Sequence, residues 1–394
     1  MRRILVSLIL LASLPHRSSA QQTADSCRIR IGLLTCSPGT ELYSTFGHSA
    51  LRITDSATGT DIVYNYGVFD FYDPQFYTKF IRGKLLYFLD RESFADFLRN
   101  YEYEDRNVSE QVLQLDCAQK AEIQRFLTEN LRPENRSYKY DFLFDNCTTR
   151  LRDLILGHAG ADVATKSILD ARDRTFRDHI HGYLDRNRMH WSKLGIDLLL
   201  GSPLDRPMTN REAMFLPDYL EKGFDSTLAS ALPLVSSKQL HYRRQSSPSE
   251  DMPTIPPTTL TFGVMAALMA WASLVKRNRY ANAILALGDF MLFFLSGAVG
   301  LLLVFMWTGT DHQVCRNNLN LLWALPSHSV AAFFIRKSGR RASSYFLFTA
   351  VASVGLLLAW YFLPQRLDPA LVIPVALLGW RGWVLSRETR PKNA

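Results

Sequence analysis

Two stretches decide the fold: "YDFLFDNCTTRLRD" (Tyr140 to Asp153) and "YSTFGHSALRI" (Tyr43 to Ile53). In the first, Leu151, Leu154 and Ile155 recur at helical spacing, Asp145 or Asn146 can cap, and Gly157 can end the helix. Cys147 thus stands in the first helical turn, where free N–H groups and the positive end of the dipole favour a thiolate. Its own N–H can contribute to an oxyanion hole. In the second stretch His48 opens a strand, and a strand packed on the helix can bring imidazole and thiol together as base and nucleophile. The pattern also admits two ordinary structural residues, because exported cysteines usually pair and "NCT" matches a glycosylation sequon.

Around these stretches strands are expected at 28–36, 48–54, 61–67, 83–89 and 107–115, and helices at 92–104, 117–131 and 147–156. "DSATG" supplies hairpin chemistry between the second and third strands. A hairpin turning near Ala57 lays Asn65 to Gly67 across from His48. Asn65 is the expected orienter of the imidazole, with Tyr66 behind it. Strands and helices in this order read as α+β. Residues 161–245 read as a mostly helical extension, and "WSKLGIDLLLGSPLDR" and "NREAMFLPDYL" carry apolar faces suited to a bilayer surface. "SSPSEDMPTIPP" (246–257) is a linker. No internal repeat, Gly-rich phosphate loop or metal-ligand cluster stands out, and no cofactor is expected.

The N-terminus, "MRRILVSLILLASLPHRSSA", reads as a secretory signal over residues 1–20, cleaved after Ala20. Beyond Pro257 the composition changes. Apolar windows run over 258–275, 281–307, 319–335, 344–363 and 369–385, giving five expected spans within 258–394. From Lys276 onward there are 13 Lys+Arg against 4 Asp+Glu, whereas residues 21–275 hold 29 against 33. The basic charge therefore belongs to loops between apolar segments, which excludes a nucleic-acid footprint. With the soluble half exported, Lys276, Arg277, Arg279, Arg336, Lys337, Arg340, Arg341, Arg387, Arg390 and Lys392 fall on the inner side. Only Arg316 and Arg366 fall outside. The chain is expected to be a multi-pass protein of a bacterial inner membrane with its soluble domain in the periplasm. Asp289 lies inside the second span, where a charge is a functional or packing pointer. His312, Arg316 and Asn320, on the outer loop, are candidates for holding a lipid headgroup.

The quoted stretches carry a resemblance. A His on one strand, a polar group on the next and a Cys on a helix is similar to circularly permuted NlpC-type, papain-like enzymes, the group of lecithin:retinol acyltransferase. "LLTCSPGTELYSTFGHSALRI", "DIVYNYGVFDF", "FIRGKLLYFL", "YEYEDRNVSEQVL", "YKYDFLFDNCTTRLRD", "GIDLLLGSPLDRP", "MFLPDYL" and "NLNLLWALP" together resemble the Lnb-type family. The resemblance implies a permuted papain-like domain over 21–160 and lipoprotein N-acyltransferase activity. The donor it implies is a membrane phospholipid, and the acceptors are diacylated lipoproteins. The family's His and Cys fall on His48 and Cys147, with Asn65 as the inferred third member. Tyr66, Arg52 and Asp145 are candidate substrate contacts. Of the five cysteines, Cys27 and Cys117 are candidates for a disulfide, with Cys36–Cys117 an open alternative and Cys36 the rival nucleophile. A peptidoglycan hydrolase and a non-enzymatic envelope scaffold are the competing functions.

Overall fold

Five strands, β1 (Ile29–Cys36), β2 (His48–Asp55), β3 (Thr60–Val68), β4 (Leu86–Ser93) and β5 (Val108–Leu113), form close to where the sequence places them, except that β4 is displaced toward the C-terminus and takes in the polar "DRES". The computed structural model of the chain describes residues 27–160, 162–170, 174–246, 255–275 and 278–391. The expected signal segment, Lys276, Arg277, Lys392 and most of the linker lie outside these residues. Between β3 and β4 sits a short helix, α1 (Phe76–Ile81). After it come α2 (Phe94–Tyr103), α3 (Cys117–Asn130), β6 (Ser137–Lys139) and α4 (Cys147–His158). Helix α4 outruns its expected end by two residues, because the left-handed position past the helix is Gly160 and not Gly157.

One antiparallel sheet organises the soluble half, and both of its faces are covered. On one face α4 packs against β2 and β3, and α3 against β1 and α4. Ile31, Leu33, Leu51, Ile53, Ile123, Leu151 and Ile155 meet there in the main core. On the other face α2 drives Phe97 onto Leu34, Ala50, Val63 and Val108. Cys27 and Cys117 are disulfide-bonded, with Cα atoms 5.5 Å apart. The bond tethers the start of β1 to the first turn of α3, and closing a loop of that length stabilises by about 4 kcal/mol.

The extension is less helical than its sequence suggests. It holds a three-residue strand β7 (Val163–Thr165), helices α5 (Phe176–Arg186), α6 (His190–Leu199), α7 (Asn210–Ala213) and α8 (Pro217–Asp225), and strands β8 (Thr227–Ala229), β9 (Leu232–Pro233) and β10 (Val235–Tyr242). Strand β10 pairs with β5, so the main sheet has the order β10-β5-β1-β2-β3-β4-β6. Its "VSSKQLHY" lacks an apolar alternation because an edge strand exposes most of its side chains. The stretch "NREAMFLPDYL" does not lie on a bilayer: Met214, Phe215, Leu216 and Leu220 are buried in the soluble core. Helix α6 does meet the membrane half, through Leu194, Leu198 and Leu199.

Among the described residues four helices are long and apolar enough to cross a membrane: Pro257–Leu274, Arg279–Thr308, Arg340–Phe362 and Pro369–Glu388. The expected span at 319–335 is not a continuous helix. It consists of a 3-10 turn (Leu319–Leu322), a five-residue helix (Ser327–Ala331) and a second 3-10 turn (Ala332–Phe334), interrupted at Pro326. The broken segment descends along Arg279–Thr308, from Ala324 beside Gly300, through Ser329 beside Gly297, to Phe333 beside Phe290. A Cβ on Gly297 or Gly300 would lie about 2.0 Å from that backbone, so only glycine permits the approach. Side chains satisfy the interrupted backbone. His328 reaches the Trp323 carbonyl at 3.1 Å and is held by the Tyr345 hydroxyl at 2.7 Å. Irregular backbone at this depth is tolerated only where protein buries it.

Asp289 is paired. Arg381, on the last span, donates from Nε and NH2 at 2.6 and 2.8 Å, and both side chains are buried. Such a pair is worth little against an apolar replacement, but removing one partner strands the other. Arg381→Ala is therefore expected to destabilise the detergent-solubilised protein by about 3 kcal/mol or more. The paired change Asp289→Leu with Arg381→Met should restore most of the melting temperature. A single variant as stable as wild type would remove this role.

Candidate active site

Helix α4 begins where the sequence demands. Asn146 is the cap, its side-chain oxygen accepting from the Thr148 and Thr149 amides at 2.8 Å, while Thr149 Oγ1 accepts from the Asn146 amide at 2.8 Å. The Asn146 amide group also donates to the Phe142 and Phe215 carbonyls, at 2.7 and 2.9 Å. The extension thereby braces the helix mouth. The cap engages the second and third amides of the helix and not the Cys147 N–H at the first helical position.

His48 occupies the first residue of β2, across the sheet from Asn65 near the end of β3. Its Nε2 lies 3.1 Å from Asn65 Oδ1. Asn65 Nδ2 in turn donates to Glu92 Oε1 on β4 at 2.7 Å. The Glu92 carboxylate can only accept, so it fixes the amide with Oδ1 toward His48. An Oδ1 acceptor places the proton on Nε2 and leaves the lone pair on Nδ1. The sequence did not single out Glu92: its signal is only a charged residue on the strand neighbouring Asn65.

Local backbone geometry lets these groups meet. The β3–β4 register runs from Asn65↔Asp90 to Val68↔Phe88, so β3 carries one extra residue at Tyr66–Gly67. Gly67 has φ +92, and a Cβ there would stand 3.5 Å from the Cβ of Cys147. The bulge thus brings the β3 backbone against the nucleophile at a position that favours glycine. A cavity of about 570 Å³, lined by His48, Asn65, Glu92, Phe97 and Tyr101 among others, opens beside the imidazole.

Electrostatics separate the free thiols among the described residues: Cys36, Cys147 and Cys315. Burial raises the Cys147 thiol, but the charge and hydrogen bond of His48, the Ser49 amide and the Thr148 hydroxyl outweigh it and bring it down to about 7. Burial lowers the His48 imidazole, and the Cys147 thiolate with Asn65 more than offsets this, leaving it raised. Burial pushes Cys36 up to about 12. Cys36 is fully buried at the end of β1, where the neutral thiol is favoured. Iodoacetamide modification of Cys147 is expected to rise through a midpoint near pH 7, since the thiolate forms as pH climbs past its lowered value. His48→Ala should move that midpoint upward. An unmoved midpoint would mean that the pair does not share a charge.

The other expected contacts have partners of their own. Tyr66 lines the cavity beside His48, but it is buried and its hydroxyl donates to Asn130 Oδ1 at 2.5 Å. Arg52 is spent on Asp61 and Glu110, at 2.7 and 2.9 Å, and stacks on Phe94. It lies four residues along β2 from His48, about 13 Å at strand rise. Asp145 is paired with Arg150 at 2.6 and 2.8 Å. Asn320 is fully buried, donating to the Asp197 carbonyl at 2.8 Å and accepting from Trp323 at 3.0 Å, so it can hold no headgroup. His312 docks on the soluble domain: its Nε2 lies 3.2 and 3.1 Å from the Phe80 and Ile81 carbonyls. Arg316 remains exposed on the loop. Arg366, the other outer-side arginine, pairs with Asp178 of α5 at 2.7 Å. The soluble half and both outer loops thus share one membrane face. No group of three or more potential metal ligands occurs among the described residues.

Two family profiles match the chain. The Lnb N-terminal periplasmic domain covers residues 16–181, and the Lnb transmembrane domain covers residues 249–390. The chain belongs to the Lnb family. Its N-terminal domain is periplasmic and its C-terminal half is a multi-pass inner-membrane domain. Neither the curated proteins nor the solved structures hold a match to it.

Proposed function

We propose that this Lnb-type chain is a phospholipid:lipoprotein N-acyltransferase whose nucleophile is Cys147, whose base is His48 and whose orienter is Asn65. One observation carries the reading: a thiol at a helix mouth is brought to about 7 by an imidazole that Asn65 and Glu92 hold in a single tautomer. The order His on β2, Asn on β3 and Cys on α4 is that of a permuted papain-like domain. Outside the inner membrane an acyl donor must already be activated, and a phospholipid ester is such a donor.

The steps follow from the geometry. The thiolate attacks the ester carbonyl, and the oxyanion falls toward the free Cys147 N–H at the helix terminus. The intermediate collapses, the C–O bond breaks, and the His48 imidazolium protonates the lysophospholipid alkoxide that leaves. A thioester now holds the acyl chain on Cys147. The α-amine of a diacylglyceryl-cysteine attacks it, His48 takes the amine proton, the C–S bond breaks and the thiolate returns. An ester has become an amide, which is downhill.

Intact-protein mass spectrometry after incubation with a phospholipid is expected to show one acyl adduct on Cys147. A diacylated lipopeptide should then discharge it as an amide. Absence of any adduct, or an adduct that persists in Cys147→Ala, would overturn the reading. Cleavage of cell-wall peptides in its place would favour the hydrolase.

A further inference from the structure

The chain between β3 and β4 is richer in exposed rings than any soluble loop needs to be. Phe71, Tyr72, Tyr77 and Phe80 are 69, 94, 77 and 51% exposed, and Ile81 beside them is 48% exposed. Helix α1 buries none of its residues, so no protein core accounts for its apolar side chains.

Its position says what covers it. The Arg82 carbonyl accepts from the Asp311 amide at 3.0 Å, and the Phe80 and Ile81 carbonyls face His312. Lys139 at the sheet edge bonds Asp311 at 2.5 Å. Asp311 is three residues beyond Thr308, the outer end of a membrane span. The aromatic segment is therefore pinned at the level where the hydrocarbon core meets water. Rings flanked by Lys79, Arg82 and Lys84 are the composition of an interfacial element.

The rings also lead inward. Phe80 stacks on Phe76 at 6.1 Å, Phe76 lies 5.7 Å from Phe69, and Phe69 lies 5.1 Å from Tyr87. Tyr87 stacks on Tyr140 at 4.3 Å. Tyr87, Tyr140 and Cys147 are all partly buried against the same main core, which brings the inner end of the row to the nucleophile's side of the sheet. Phe69 is two residues past Gly67, where a Cβ would stand 3.5 Å from that of Cys147.

We infer that the segment from Phe69 to Ile81 is immersed in the outer leaflet and that its row of rings is the path by which a lipid acyl chain reaches Cys147. The immersion stands on position and exposure alone. The path rests on the acyl transfer proposed above.

Two measurements on the full chain in phosphatidylethanolamine proteoliposomes decide it. In a Cys147→Ala background, an environment-sensitive fluorophore on Tyr77→Cys should be strongly quenched by phosphatidylcholine brominated in its acyl chains. The same label on Ala57→Cys, in the hairpin at the far end of the sheet, should not be. Equal water exposure at both positions would overturn the immersion, whatever the enzyme does. For the path, Phe71→Asp with Phe80→Asp should lower acylation by bilayer phospholipid by about tenfold or more. Acylation of Cys147 by a water-soluble short-chain ester should be unchanged, which also reports that the site has folded. Unreduced turnover of bilayer lipid in this variant would overturn the path. A wild-type protein that forms no acyl adduct from either donor would fail the acyl-transfer reading and leave the quenching result to decide the immersion.

Discussion

Cys147→Ser is expected to abolish acyl transfer, with a fall of about a thousandfold or more. The hydroxyl is nearly isosteric with the thiol, so the Asn146 cap, the Gly67 contact and the core beneath α4 should survive. What is lost is ionisation. A thiol brought to about 7 is substantially thiolate at neutral pH, whereas a serine hydroxyl at the same place is not. The measurement is single-turnover formation of the acyl adduct, alongside thermal melting. A serine variant with near-normal turnover and unchanged melting would transfer the nucleophilic role elsewhere, and neither buried Cys36 nor buried Cys315 could receive it.

His48→Ala should slow acylation by about a hundredfold or more. Two effects combine. The thiol loses the positive charge that outweighs its burial, and the leaving alkoxide loses its proton donor. The sign with pH follows. In wild type the rate should fall as pH drops through about 7, where the thiolate is protonated. In the variant that fall should begin at higher pH, so raising the pH recovers part of the first deficit and none of the second. Rate-against-pH profiles for acylation separate the two. A variant impaired only in substrate binding, with the chemical step intact, would remove His48 from this role.

The residues of the proposed site were easier to read from the sequence than the residues that support them. Cys147 was legible because a polar cap and a three-residue apolar spacing mark a helix start, and His48 because a strand begins at it. Asn65 could be reached by counting back along a hairpin. Glu92 could not, since its meaning comes from β4 lying beside β3, a pairing that crosses the whole of α1. Arg381 was hidden inside an apolar window by the same averaging that reveals a span. The broken segment at 319–335 reads as a continuous span in composition, and only Pro326 and His328 hint that its backbone needs outside partners. Strand β10 was illegible because an edge strand at the surface need not alternate.

That edge strand bears on how the protein is made. A secreted chain crosses the membrane from its N-terminus, so β1 to β6 and Cys147 emerge well before Val235–Tyr242. Until that segment arrives, β5 presents an unpaired rim, the kind of surface on which nascent chains stick to one another. The missing strand ends at Tyr242, and the first membrane helix begins soon after, at Pro257. Closure of the catalytic sheet is thereby timed to the handover from translocation to membrane insertion. A truncated soluble fragment ending near residue 160 would be a frozen biosynthetic intermediate, and one ending after Ser246 would carry every strand of the sheet.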